Sequence, residues 1–183
     1  MSAVVVGLSA IAFVVLLVML FDRGDADTEP AFDAANVLRL GRDLIYLVSG
    51  TGNELGGQWL QTILGETFRV HPLKDVYFGS HIDSTFVALR PGLVLCNPSR
   101  VDHETLPRVL KQWDVIYSPP MENTERYDAD YLSKSIGSDW IDMNLFSIHP
   151  DLVVVDRDQT ALIRLLERQG LDVIPLKLRH SKM

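Results

Sequence analysis

Apolar positions along the chain switch between two periods, and they do so three times in the same order. The first copy begins with NVLRL, which alternates as a half-buried strand does, then a Gly41-Arg42-Asp43 turn and the strand-like LIYLV. Apolar residues then recur at helical spacing from about Glu54 to Leu64, with Thr51 and Asn53 as candidate caps, and FRVHPL closes the copy as a short strand. The second copy reads STFVAL, an Arg90-Pro91-Gly92 turn, LVLC, a helix over about His103 to Gln112, and DVIYS. The third reads NLFSI, a His149-Pro150-Asp151 turn, LVVV, a helix over Gln159 to Arg168, and DVIPLKL. A hairpin–helix–strand pattern repeating at roughly 50 residues signals a repeat architecture of class α/β. One such unit covers one face of a small sheet with one helix and cannot close a core, so the copies must pack on each other. Radial packing around a channel is one solution and a linear stack another. Three copies without evident capping repeats predict an incomplete ring, in which residues 37–71, 84–118 and 144–178 follow one ββαβ path.

Ahead of the repeats the pattern is different. Ala3 to Phe21 carries no charge and is rich in Val, Leu, Ile and Phe, close to the ~20 residues a helix needs to cross a bilayer. Residues 1–21 are therefore expected to form a hydrophobic helix able to act as a membrane anchor, the alternative being a stretch foreign to the domain. There is no basic leading region or small-residue cleavage site of a secretory signal. Asp22 and Arg23 are too few flanking charges to orient the helix. Residues 22–31 (DRGDADTEPA) read as an acidic linker. Location follows the same fork: membrane-associated if the helix forms, cytoplasmic otherwise.

Composition narrows the function by exclusion. The chain has 183 residues, 47% hydrophobic and 22% charged, with 17 basic and 24 acidic residues and a net charge of −7. No basic run exists to replace counterions on a phosphate backbone, so nucleic acid is excluded as a partner. A single cysteine, Cys96, excludes an internal disulfide and a Cys-rich zinc site.

Chemistry concentrates in Ser80-His81-Ile82-Asp83-Ser84-Thr85. His81 and Asp83 share a face in an extended segment, and a histidine beside a carboxylate suits general acid–base work. A structural histidine bonded to nearby backbone is the ordinary alternative for an isolated HxD. His71, His103, His149 and His180 read as structural or surface residues. Asp33, in FDAAN, sits among apolar neighbours, where a carboxylate needs a partner. A histidine would satisfy it, and so would a role as a turn or helix cap. Cys96 ends the continuous apolar strand LVLC and reads as a small buried hydrophobe rather than a nucleophile. Arg100, just after the NPS turn, is placed to clamp a carboxylate or to lie solvated on the surface.

Over FDAANVLRLGRD, TGNELGGQWL, VHP, HIDSTF and RPGLVLCNPSR the sequence resembles the glycine amidinotransferase family, which includes the inosamine-phosphate amidinotransferases. The likeness runs from about Glu29 to the C-terminus, whereas residues 1–24 do not resemble the family. It implies a five-bladed α/β propeller, the pentein fold shared with arginine deiminases, with residues 32–183 as part of it. It implies a ping-pong reaction needing no cofactor and no metal, with L-arginine and an acceptor amine as partners. A cysteine thiolate takes the amidino group of arginine, ornithine leaves, and the group passes to the amine. His81 matches the family's catalytic histidine and Asp33 the aspartate that orients it. Asp83 matches a carboxylate that holds the guanidinium, and Arg100 an arginine that grips the substrate carboxylate.

The sequence departs from the family at two places. A serine pair expected before the tryptophan of WxxMN is Gly137-Ser138 in this chain, so the contact to substrate rests on Ser138 alone. After LRHSKM the family continues into a Gly-rich stretch and its nucleophilic cysteine, whereas this sequence ends at Met183. An earlier blade and a further guanidinium-binding carboxylate are likewise expected ahead of Glu29. The expectation is thus an amidinotransferase by descent, acting on a glycine-like or aminocyclitol-like amine, of which these residues form an inactive piece without the nucleophile. The alternatives are a non-catalytic, membrane-tethered partial propeller that binds a partner, and a guanidine-modifying hydrolase. Self-association into a homo-oligomer is left open.

Overall fold

Three separate three-stranded sheets carry the repeats, in the orders β1-β2-β3, β4-β5-β6 and β7-β8-β9, and none of them closes. The structure, a computed structural model, describes residues 28–122 and 140–177. The hydrophobic stretch 1–21, most of the linker 22–31, and Ser138 lie outside the described residues. Among the described residues no helix is long and apolar enough to cross a membrane. The chain divides into two compact units, one ending at Ile82 and the other beginning at Asp83.

The first unit holds one repeat. Strand β1 (Val37–Leu40) runs antiparallel to β2 (Asp43–Leu47), with Leu40 opposite Asp43. The two-residue turn between them uses Gly41 at φ 66°, a left-handed conformation that costs a glycine little. Helix α1 (Glu54–Leu64) follows. Its start is fixed by Asn53, whose side chain accepts the Gly56 N–H at 2.8 Å. Strand β3 (Arg69–Leu73) then returns parallel to β2, with Asp43 opposite Arg69. The helix lays Leu60 on the sheet beside Leu44, Tyr46 and Phe32, with Trp59 and Leu64 at the margin. Strand β2 is buried at Leu44, Ile45, Tyr46 and Leu47, so it reads as a continuous apolar run rather than an alternating one.

The second unit holds two repeats that share one core. Strands β4 (Phe86–Arg90), β5 (Leu93–Cys96) and β6 (Asp114–Tyr117) form the first sheet, and β7 (Phe146–His149), β8 (Leu152–Asp156) and β9 (Asp172–Leu176) the second. Each again pairs an antiparallel hairpin with a parallel third strand. Helix α2 (Thr160–Arg168) buries Leu162 and Leu166 against Val153 and Val155, in one cluster with Leu89, Leu93 and Leu95 of the neighbouring repeat. The expectation that one copy cannot close a core alone holds for this pair.

The helix expected over His103 to Gln112 does not form. In its place Asp102 accepts the backbone N–H groups of Glu104 and Thr105, both at 2.8 Å, and a short 3-10 turn spans Arg108–Leu110. Pro107 is the cause: it falls beyond the first helical turn, lacks an N–H, and its ring clashes with the preceding turn.

Candidate active site

Two of the candidate residues meet in the first unit. Asp33 is the N-cap of a 3-10 turn, Ala34–Asn36. Its Oδ1 accepts the Ala35 N–H at 2.8 Å, while its own N–H donates to Asn36 Oδ1 at 3.1 Å, a reciprocal capping box. The other carboxylate oxygen, Oδ2, lies 3.3 Å from His81 Nε2. The cap and the histidine partner were alternatives for Asp33 in the sequence; in the fold each takes one oxygen. Both side chains keep access to solvent, with 31% of Asp33 and 43% of His81 exposed. A dyad open to that degree can exchange protons with a bound substrate or with water.

His81 sits on the connection between β3 and β4, in no regular element, so contacts outside the strand ladders must fix its backbone. The Ile82 N–H donates to the Ala35 carbonyl at 2.9 Å. On the other side the Ser80 carbonyl accepts Thr51 Oγ1 at 2.7 Å, Ser49 Oγ at 3.0 Å and Asn36 Nδ2 at 3.1 Å. Asn36, Ser49 and Thr51 carry no catalytic signature in the sequence. The signal that could have found Asn36 is its place in the capping box.

Asp83 and Arg100 belong to the second unit. Asp83 Oδ1 accepts the Ser84 N–H at 2.8 Å. Arg100 Nη1 donates to the Ser84 carbonyl at 3.1 Å and to the hydroxyls of Ser84 and Thr85, each at 2.9 Å. Asn97, buried at the end of β5, builds the turn that presents this arginine. Its Oδ1 accepts from Ser99 N and Oγ, its carbonyl accepts the Arg100 N–H at 3.2 Å, and its Nδ2 donates to the Ser84 carbonyl at 2.8 Å. The neutral acceptors on Ser84 and Thr85 anchor Nη1 of the Arg100 guanidinium.

Cys96 stands apart from this chemistry. It is fully buried in β5, opposite Phe86 and Tyr117. Burial pushes its thiol up to about 12, which leaves roughly one thiolate in ten thousand molecules at pH 8. The expected outcome is that a thiol reagent at pH 8 labels Cys96 only at the rate of global unfolding. Labelling that outpaces unfolding would contradict its burial.

A second histidine–carboxylate pair escaped the sequence reading. His71, read as structural or surface, places Nε2 2.7 Å from Asp43 Oδ1, and Arg69 Nε lies 3.0 Å from the same oxygen. The hydrogen bond from His71, followed by the charge of Arg69, holds the Asp43 carboxyl below the usual carboxylate range despite the opposing effect of burial. Because the folded value is depressed, the stability this network contributes is present above the ordinary aspartate value of ~3.9 and is lost as pH falls through the lower folded value. Asp43→Asn should cost about 0.5–1 kcal/mol at pH 7, because Arg69 is so open to solvent. Chemical denaturation should show that difference shrinking as the pH falls through the acid range; a difference that stays constant would rule out the linkage. Among the described residues no group of three or more His, Cys, Asp or Glu is arranged to hold a metal ion.

No protein-family model matches the chain. Inosamine-phosphate amidinotransferase 1 of Streptomyces griseus is 55% identical over 157 residues, which cover 85% of this chain and 44% of that protein. The mitochondrial glycine amidinotransferase of Gallus gallus is 34% identical over 155 residues, covering 84% of this chain and 35% of that protein. Among solved structures, the inosamine-phosphate amidinotransferase of Streptomyces griseus aligns with a TM-score of 0.79 at 54% identity, over 85% of this chain and 44% of that one. The DDAH of Pseudomonas aeruginosa, with a TM-score of 0.58 at 14% identity over 85% of this chain and 54% of that one, shares the fold alone. The chain thus spans less than half the length of the curated relatives it matches. Over the residues matched, the chain is a homologue of the amidinotransferases, more similar to the inosamine-phosphate amidinotransferase than to the glycine amidinotransferase.

Proposed function

We propose that this chain supplies the acid–base pair and part of the arginine site of an amidinotransferase, and that its three repeats are three blades of a five-bladed propeller. The observation that carries the reading is Asp33 Oδ2 at 3.3 Å from His81 Nε2, in a chain 55% identical to an inosamine-phosphate amidinotransferase. In the chemistry the resemblance implies, a cysteine thiolate attacks the guanidinium carbon of arginine. His81 donates a proton to the departing nitrogen, and ornithine leaves an amidino-cysteine. The acceptor amine then gives a proton to His81 and attacks the same carbon, which releases the thiolate. Asp33 holds the imidazole and stabilises the imidazolium formed in the second half. Asp83 and Ser138 contact the substrate, Asp83 fixing the guanidinium plane and with it the angle of attack. Arg100 grips the substrate carboxylate. The thiolate is not that of Cys96, which is buried and protonated. An aminocyclitol-like acceptor is favoured over a glycine-like one by 55% against 34% identity to the respective relatives.

The test is a hybrid enzyme in which the matched residues of this chain replace their counterparts in the Streptomyces griseus amidinotransferase. Continued turnover of arginine to ornithine, dependent on an added aminocyclitol phosphate, is the expected result. A hybrid that folds yet releases no ornithine would sink the catalytic reading in favour of a non-catalytic binding module.

A further inference from the structure

We infer that Asn36 is a positioning residue for His81, working with Thr51 and Ser49 on the Ser80 carbonyl; the inference rests on reading Asp33 and His81 as the acid–base pair. Asn36 is wholly buried, and its amide is used at both ends. Oδ1 accepts the Asp33 N–H at 3.1 Å and lies 3.2 Å from the Thr51 hydroxyl, whose one proton is drawn more closely to the Ser80 carbonyl at 2.7 Å. Nδ2 faces Ser49 Oγ at 2.9 Å, the Ser80 carbonyl at 3.1 Å and the Leu47 carbonyl at 3.3 Å. One side chain therefore touches the backbone of one member of the pair and the residue before the other. The amide orientation is fixed, since turning it over would set Oδ1 against two carbonyl oxygens.

The chemistry of the position admits few substitutes. An aspartate would keep the acceptor and lose both donors, and an aliphatic residue would leave the Leu47 and Ser80 carbonyls with fewer partners. The Ser80 carbonyl draws three donors onto two lone pairs, so losing one hydroxyl is tolerable. Losing Asn36 is different, because it alone also holds Asp33. Gly52 belongs to the same arrangement: a Cβ there would stand 3.0 Å from both Cγ and Nδ2 of Asn36. A side chain at position 52 would push the amide without deleting it.

The experiment reads the ring ¹⁵N shifts of His81 in the labelled 183-residue chain, with His81→Ala to assign them. A carboxylate facing Nε2 favours the tautomer protonated there, and Asp33→Asn should move the ring signals away from it. Asn36→Ala is expected to reproduce most of that move. Leu60→Ala, which weakens the core of the same unit, should lower stability and leave the signals in place. Where Asn36→Ala does not fold, Gly52→Ala gives the same reading. Wild-type ring shifts in Asn36→Ala or Gly52→Ala, beside a clear move in Asp33→Asn, would overturn the role of Asn36 and leave the pair standing. Unmoved shifts in Asp33→Asn would overturn the pair and this inference together. Neither outcome depends on the hybrid assay, where loss of transfer with intact shifts counts against the catalytic reading alone.

Discussion

His81→Ala in the hybrid enzyme is expected to lower ornithine release by about 10²–10⁴-fold, the usual contribution of a positioned general acid–base. The reason is the ornithine nitrogen. It leaves poorly as an amide-like anion, and in the proposed mechanism His81 protonates it. Most of the loss should fall on kcat, because the proton moves in the transition state and contributes little to holding arginine. Asp33→Asn should lose less. The asparagine still accepts the Ala35 N–H that forms the cap, but it no longer offers a charge to the imidazolium. Cys96→Ala should leave kcat near the parent value, since the thiol is buried and protonated. Steady-state kinetics on the three variants, with circular dichroism to show that each folds, makes the comparison. A His81→Ala enzyme within tenfold of the parent would remove His81 from the mechanism, and a Cys96→Ala enzyme without activity would make Cys96 the nucleophile.

Local features were legible in the sequence where neighbours in the chain decide them. The strands were, because short apolar runs bounded by turn residues mark them, continuous in β2 and β5 where every or nearly every position is buried. Helices α1 and α2 were as well, Asn53 included as the cap of α1. The helix of the second repeat was misread because apolar spacing outweighed Pro107, whose missing N–H acts on the backbone and not on the pattern. Contacts that depend on where a loop travels left no local trace. Asn36 reaches Ser80 across 44 residues and His71 reaches Asp43 across 28. The N-terminus of α2 is capped from a distance too: the Glu122 carboxylate accepts the Ala161 N–H at 2.8 Å, while Gln159 at the cap position makes no cap bond. Asp33 lies between these cases. Its surroundings show that it needs partners, and its turn shows that it can cap. That the second oxygen turns to His81 depends on the path of residues 74–82, and periodicity carries no information about that path.

Gly56→Ala should destabilise the fold by about 2 kcal/mol, although alanine is the better helix former. Intrinsic propensity favours the substitution by up to ~1 kcal/mol inside a helix. Packing opposes it more strongly, because an added Cβ would stand 2.6 Å from both the Ala31 carbonyl and the Tyr46 hydroxyl, and 3.0 Å from Phe32 Cδ1. Those atoms are not free to give. The Ala31 carbonyl accepts the Asn53 N–H at 2.8 Å, the Ala31 N–H donates to Asn53 Oδ1 at 3.0 Å, and Tyr46 donates to the Asn53 carbonyl at 2.7 Å. Relief therefore means breaking one of these bonds or lifting α1 from the sheet, and forced overpacking typically costs about 1–3 kcal/mol. Gly65→Ala is the matched control. A Cβ there meets no atom within 4 Å, but φ of 55° with ψ of −143° is a conformation nearly reserved for glycine, so its cost is local backbone strain of about 1–3 kcal/mol with no push on Ala31 or Tyr46. Thermal unfolding should place Gly56→Ala below the parent chain by a few degrees. An unchanged or raised midpoint would show that α1 does not pack on Tyr46 through its glycine face. The strain also has a direction, because Ala31 lies two residues before Asp33, and a backbone pushed off α1 carries the cap of the 3-10 turn with it. Gly56→Ala should therefore move the His81 ring shifts in the same sense as Asp33→Asn, and Gly65→Ala should not.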